Sequence, residues 1–189
     1  MKRLWVTGYR SYELQIFSDQ DPKYQVIDYA IQKLIIQAIS DSGTEWVITG
    51  GQLGIEQMAA KAALTVKADY PELNVSILLP FAHFGNQWKE ENQTKLASLL
   101  TQVDFTGTVS NQDYQSPQQL RNYQDFMLRH TDGALLIYDP EHEGKTQYEF
   151  DAIKKWQDSH DYDLRLVDFD ELQEFSYDYQ EFLNNSSNL

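Results

Sequence analysis

The 189-residue chain has no cysteine, which excludes disulfides, zinc–thiolate sites and cysteine nucleophiles. It is also short of positive charge: 15 Lys and Arg stand against 29 Asp and Glu, a formal net charge of −14. That sign is wrong for gripping phosphate backbones, and the field repels polyanions and disfavours anionic membranes. Neither nucleic acid nor a membrane is therefore expected as a partner. A small anionic ligand held at short range is less affected, because distant carboxylates are screened. No apolar run approaches the ~20 residues that cross a bilayer. Met1 to Val6 leads directly into a strand pattern without a signal-peptide core, so a cytoplasmic location is expected. None of His83, His130, His142 and His160 has metal-ligand spacing, and no Ser-His-Asp motif occurs. No linker-like stretch divides the chain, which implies one domain over residues 1–184 and a fraying tail over 185–189.

What the chain does have is Trp46-Val47-Ile48-Thr49-Gly50-Gly51-Gln52-Leu53-Gly54-Ile55-Glu56, a buried strand, a glycine turn and a helix start. Glycines let the backbone turn and approach a ligand closely, and the first N–H groups of a helix bind anions without a lysine. Gly50, Gly51, Gln52 and Gly54 thus read as a phosphate cradle. Replacing Gly54 with a bulky residue is expected to abolish binding in a folded chain. Thr49 replaces the first glycine of a dinucleotide fingerprint, and the next strand, Val75 to Leu79, ends in Pro80-Phe81 with no carboxylate for a ribose. These departures argue against an ordinary NAD dehydrogenase. Glu56 has two readings: a carboxylate complementing the helix dipole, or a group turned into a cleft to bind hydroxyls or activate water.

The remaining pattern alternates strands with helices. Leu4 to Thr7 is a strand ending in Gly8-Tyr9-Arg10, where Arg10 is placed to reach a phosphate and Tyr9 to flank a base. Glu13 to Gln20 reads as a loop, and Asp21-Pro22 caps a helix that Gly43 ends. Val75 to Leu79 leads into an aromatic connection in which Phe81 and Trp88 are candidates for stacking on a base or closing a pocket. Ser116 to Gln119 is a capping box opening a helix with Leu120, Tyr123, Met127 and Leu128 on its apolar face. Gly133 to Tyr138 is a strand, Arg165 to Phe169 another, and Asp170 to Asn184 an acidic amphipathic helix. Together these predict an α/β, doubly wound, mostly parallel Rossmann-like sheet with helices on both faces.

A third glycine turn follows Tyr138. Its Gly144-Lys145-Thr146 suggests a Walker A tail, but Asp139 replaces the first glycine, and Glu141 and Glu143 put negative charge where phosphates would sit. A better use is a second wall of the same cleft, with Thr146 and the helix N-terminus donating and Lys145 adding charge. Glu149 then reads either as the acidic member of a capping box with Thr146 or as a catalytic carboxylate.

Val6 to Arg10, Thr49 to Glu56, Leu79-Pro80-Phe81 with Trp88, and Asp132 to Asp139 together resemble the YpsA family of Gram-positive bacteria over nearly the whole chain. That family belongs to a Rossmann-like superfamily shared with DprA and the LOG phosphoribohydrolases. The resemblance implies a nucleotide-derived ligand, a role in cell division through a protein partner, and Gly54, Glu56 and Trp88 in the ligand cleft. Self-association is left open, and no cofactor beyond the nucleotide ligand is implied. Of the LOG motif Pro-Gly-Gly-x-Gly-Thr-x-x-Glu, Thr146 and Glu149 are in place, Gly144 falls at the variable position, and Lys145 replaces the glycine before Thr. The remnant leaves an N-glycosidase using Glu56 or Glu149 as one alternative to a non-catalytic regulator, and a protein-interaction module with a vestigial cleft is the other.

Overall fold

A computed structural model describes residues 1–187. Six strands, β1 (Arg3–Gly8), β2 (Trp46–Thr49), β3 (Asn74–Phe81), β4 (Phe105–Ser110), β5 (Gly133–Ile137) and β6 (Asp163–Val167), form one parallel sheet in the order β4-β3-β2-β1-β5-β6. The central strands are continuous apolar runs because helices cover both faces; all five residues of β5 are buried.

The helices follow from their caps and spacing. In α2 (Pro22–Ser42), Asp21 accepts the Lys23 N–H at 2.8 Å and Gly43 closes the last turn in the left-handed conformation. α3 (Ile55–Lys67) buries Ala59, Ala60, Ala62 and Ala63 completely, and this small-residue face lets it lie close on β1, β2 and β3. α4 (Glu90–Leu100) completes this layer. In α5 (Pro117–His130), the Gln119 side chain accepts the Ser116 N–H at 3.3 Å, as the capping box requires. α6 (Gln147–Gln157) packs beside α5, and α7 (Phe169–Ser186) returns across α2.

Right-handed crossovers fix the layers. From β1 to β4 the chain moves steadily toward one edge, placing α2, α3 and α4 on one face. It then crosses back to β5 and moves outward to β6, which places α5 and α6 on the other. The direction reverses between β1 and β5, and a crevice opens there at the carboxyl ends of the strands.

Three expectations are corrected. The stretch read as a loop from Glu13 begins inside a one-turn helix, α1 (Ser11–Leu14), because Glu13 accepts the Arg10 N–H at 2.7 Å. Leu120 is exposed, since it faces the cleft and not the sheet. The C-terminal helix runs through Ser186, so Asn185 and Ser186 are helical, and the rest of the expected tail, beyond residue 187, lies outside the described residues. Among the described residues, no helix is long and apolar enough to cross a membrane.

Candidate functional site

Above the carboxyl ends of β1, β2 and β3 lies a cleft of about 1110 Å³. It lies between α3 and α4 on one side and α5 and α6 on the other. The structure brings Arg10, Gln52, Gly54, Glu56, Trp88, Lys145 and Glu149 together on its wall. It does not bring the other expected residues to the surface of the cleft. Gly8, Gly50 and Gly51 are buried beneath it. Tyr9 is core: its ring packs on Tyr138 and Phe169, and its hydroxyl accepts the Asp139 N–H at 3.1 Å and donates to the Asp139 and His142 carbonyls. It therefore ties β1 to the loop after β5, a correction to its reading as a base flank. Phe81 packs behind Phe84 and Tyr114, which line the mouth. Thr146 is fully buried and accepts from Arg10 at 3.4 Å.

The floor is a charged cluster. Glu56 is 6% exposed; its Oε1 accepts the Thr7 hydroxyl at 2.9 Å and its Oε2 the Gln52 N–H at 2.8 Å. Arg10 donates to Glu149 Oε1 at 3.3 Å and to the Gly8 carbonyl at 3.2 Å. Glu149 is 7% exposed and makes no capping box, because Thr146 does not cap α6 through its side chain. Burial raises the Glu56 carboxyl above its ordinary value, an effect that Arg10 and the Gln52 N–H partly oppose. Burial alone would lower the Arg10 guanidinium, but Glu149 and Glu56 hold it above its ordinary value. The Tyr123 phenol is pushed well up, first by burial and then by Glu56.

Two atoms of this floor have no partner among the described residues: the Tyr123 hydroxyl and Glu149 Oε2, both buried. Leaving buried polar groups unpaired costs about 1–3 kcal/mol each, so such groups call for an ordered water or a ligand to supply the missing bonds. The hydroxyl donates and the carboxylate oxygen accepts, a combination suited to sugar hydroxyls.

The glycine turns are cradles already filled by the protein's own carboxylates. At the first, Glu56 takes the Gln52 N–H, and the Ile55 N–H that opens α3 is bonded to the Tyr9 carbonyl at 3.0 Å. At the second, Glu13 Oε1 takes the Lys145 N–H at 2.6 Å and lies 2.6 Å from where a Cβ on Gly144 would stand. A helix terminus favours an anion by up to about 2 kcal/mol. Two like unit charges 4 Å apart repel by about 4 kcal/mol at an effective dielectric of about 20. Repulsion wins, and a phosphate directly beside an ionised Glu56 is disfavoured. With Glu56 ionised, the Gln52 N–H is not free to take a phosphate.

Gly54 has a structural duty too. Its φ is 115°, and a Cβ would lie 2.5 Å from the Tyr9 carbonyl oxygen and 2.6 Å from the Ser11 nitrogen. A bulky residue there is therefore expected to destabilise the fold as well as to disturb binding.

Sequence reasoning missed Thr7, Glu13 and Tyr123. Thr7 and Glu13 find their partners 49 and 132 residues away, and no local pattern announces either contact. Tyr123 sits in a helical apolar stripe, where a phenol reads as core.

A doubly wound parallel sheet with a polar cleft at its strand ends defines the Rossmann-like α/β class. Within it, the chain belongs to the YpsA family: the profile described as the YspA SLOG family matches residues 4–172. The chain is 53% identical over 189 residues to a UPF0398 protein of Lactiplantibacillus plantarum, covering all of both chains. It is 54% identical over 181 residues to a UPF0398 protein of Pediococcus pentosaceus, covering 96% of this chain and 98% of that one. It is also 48% identical over 180 residues to a UPF0398 protein of Oenococcus oeni, with 95% and 96% covered.

Proposed function

We propose that this protein is a non-catalytic nucleotide-binding regulator, taking an ADP-ribose-like or related nucleotide and acting on the cell-division machinery through a protein partner. The observation that carries the nucleotide part is the pair of unpartnered polar atoms, the Tyr123 hydroxyl and Glu149 Oε2, in the floor of a cleft large enough for a nucleotide. Aromatic side chains line the rest: Trp88 and Phe84 meet edge to face with centroids 5.2 Å apart, offering a wall for a base. The division role follows from the family resemblance alone.

The test is native mass spectrometry of protein purified from cells, then incubation of any released ligand with fresh protein. A nucleotide that returns intact supports the regulator. An empty protein that also fails to bind a panel of nucleotides in calorimetry sinks the nucleotide reading.

Glu149 supports a second reading, an N-glycosidase. A carboxylate with a free buried oxygen in a ligand cleft can stabilise an oxocarbenium-like centre. Against it, the same carboxylate already faces Arg10, and none of the four histidines lines the cleft to assist a proton transfer. Base release from a nucleoside monophosphate, lost in Glu149→Gln, would establish the enzyme.

A further inference from the structure

The cleft is electrically polarised. Its lining carries Arg10, Lys61, Lys89, Lys95, Arg121 and Lys145 against Asp19, Glu56, Glu91 and Glu149, six cations to four carboxylates in a protein whose balance is 15 to 29. Three pairs cancel: Arg10 with Glu149, Lys61 with Asp19, and Lys95 with Glu91. What is left is Glu56, buried in the floor, and three exposed cations at the mouth, Lys89, Arg121 and Lys145, none of which pairs with a carboxylate among the described residues. Arg121 bonds only the neutral Gln118 side chain. One amide of each turn, the Gln52 N–H and the Lys145 N–H, is held by Glu56 and Glu13.

Resting on the nucleotide reading above, we propose that the ligand enters sugar first. Its hydroxyls meet Glu149 Oε2 and the Tyr123 hydroxyl in the floor, and its anionic group stays at the mouth on Lys89, Arg121 and Lys145. This is the reverse of a phosphate seated on the glycine turn. The floor atoms are an independent mark of a ligand, being buried and unpartnered on two residues that line the cleft. Two consequences follow for the ligand class. Extension of the phosphate chain is tolerated, because it points to solvent. Inorganic phosphate and pyrophosphate, which have no sugar to place in the floor, do not compete.

The experiment is calorimetry with the four 5′-ribonucleoside monophosphates, their nucleosides and inorganic pyrophosphate, on the wild type and on Lys89→Glu, Arg121→Glu and Lys145→Glu. The reversed residues are exposed, so the variants are expected to fold, and circular dichroism checks this. The monophosphate of the preferred base is expected to bind about tenfold more tightly than its nucleoside. Charge reversal removes that advantage and leaves the nucleoside affinity unchanged. Raising the salt from about 50 to about 300 mM has the same selective effect, since exposed charges are screened. Monophosphate affinity that survives all three reversals overturns the sugar-first orientation while leaving the nucleotide reading intact. Pyrophosphate that displaces the monophosphate also overturns it. If no monophosphate or nucleoside binds, and ADP-ribose added to the same panel does not bind either, the nucleotide reading falls and this inference with it.

Discussion

Arg10 Nη2 lies 3.3 Å from Glu149 Oε1, joining the end of β1 to the first turn of α6 across 139 residues of sequence. Both side chains are largely buried, at 16% and 9% exposure. The contact spans the point where strand order reverses, so one guanidinium holds the two halves of the sheet edge together and offsets the carboxylate floor.

Removing it leaves Glu149 and Glu56 without their cation. Breaking a buried pair from one side costs about 3–5 kcal/mol, chiefly because a charge is stranded. Arg10→Ala is therefore expected to lose about 3 kcal/mol at pH 8, read by chemical denaturation. The loss is smaller at pH 5, where the Glu56 carboxyl, already raised by burial, takes up a proton. An equal loss at both pH values would show that the residue acts through packing alone.

The fold was legible because its signals are local. Asp21-Pro22 and Gly43 bracket α2, Ser116 and Gln119 open α5, and unbroken apolar runs mark strands covered on both faces. The site was half legible. The glycine turns, Arg10 and Trp88 announced themselves by residue type, yet the same signals did not show which carboxylates face the turns. What fills those turns is Glu56, four residues on from Gln52, and Glu13, 132 residues before Lys145. Pairing across 132 residues is decided by topology, which a one-dimensional pattern does not carry.

Gly50 tests how tightly the floor is built. A Cβ there would overlap Glu56 Oε2 and stand 2.7 Å from the Tyr123 hydroxyl. Gly50→Ala is expected to cost about 1–3 kcal/mol by overpacking and to weaken nucleotide binding at least tenfold. The glycine is needed because of what faces it, so Glu56→Ala should absorb much of the penalty. Denaturation of both single variants and the double one forms the cycle. Strict additivity would place the strain elsewhere.

Glu56 makes stability depend on pH in a direction opposite to that of a salt-bridged carboxylate. Its folded value is raised, so the native state holds its proton more tightly than the unfolded chain does. Its contribution is most favourable at low pH and declines as pH rises from the ordinary value of 4.5 through the folded value. Glu56→Gln removes that slope. The stability difference, wild type minus variant, is expected to fall as pH goes from about 4.5 to 7.5, measured by thermal melts in steps of half a unit. A difference that rises over this window would mean that Arg10 and the Gln52 N–H outweigh burial.

Gly54 and Trp88 separate folding from binding. At Gly54 a side chain would meet the backbone of Tyr9 and Ser11, in a conformation L-residues rarely adopt, and neither backbone segment can swing aside. Gly54→Ala is expected to destabilise the chain by about 3 kcal/mol or more, so lost binding in that variant says nothing about the ligand. Trp88 is half-buried on the cleft wall, with its edge contact to Phe84 its principal aromatic neighbour. Removing a ring that stacks on a base costs about 1–3 kcal/mol of binding. Trp88→Ala is expected to melt within a few degrees of the wild type while binding the preferred nucleotide about tenfold or more weakly, followed by calorimetry. Ligand quenching of tryptophan fluorescence should vanish with it. A variant that keeps full affinity would move the base to the opposite wall, against Tyr12 or Tyr148.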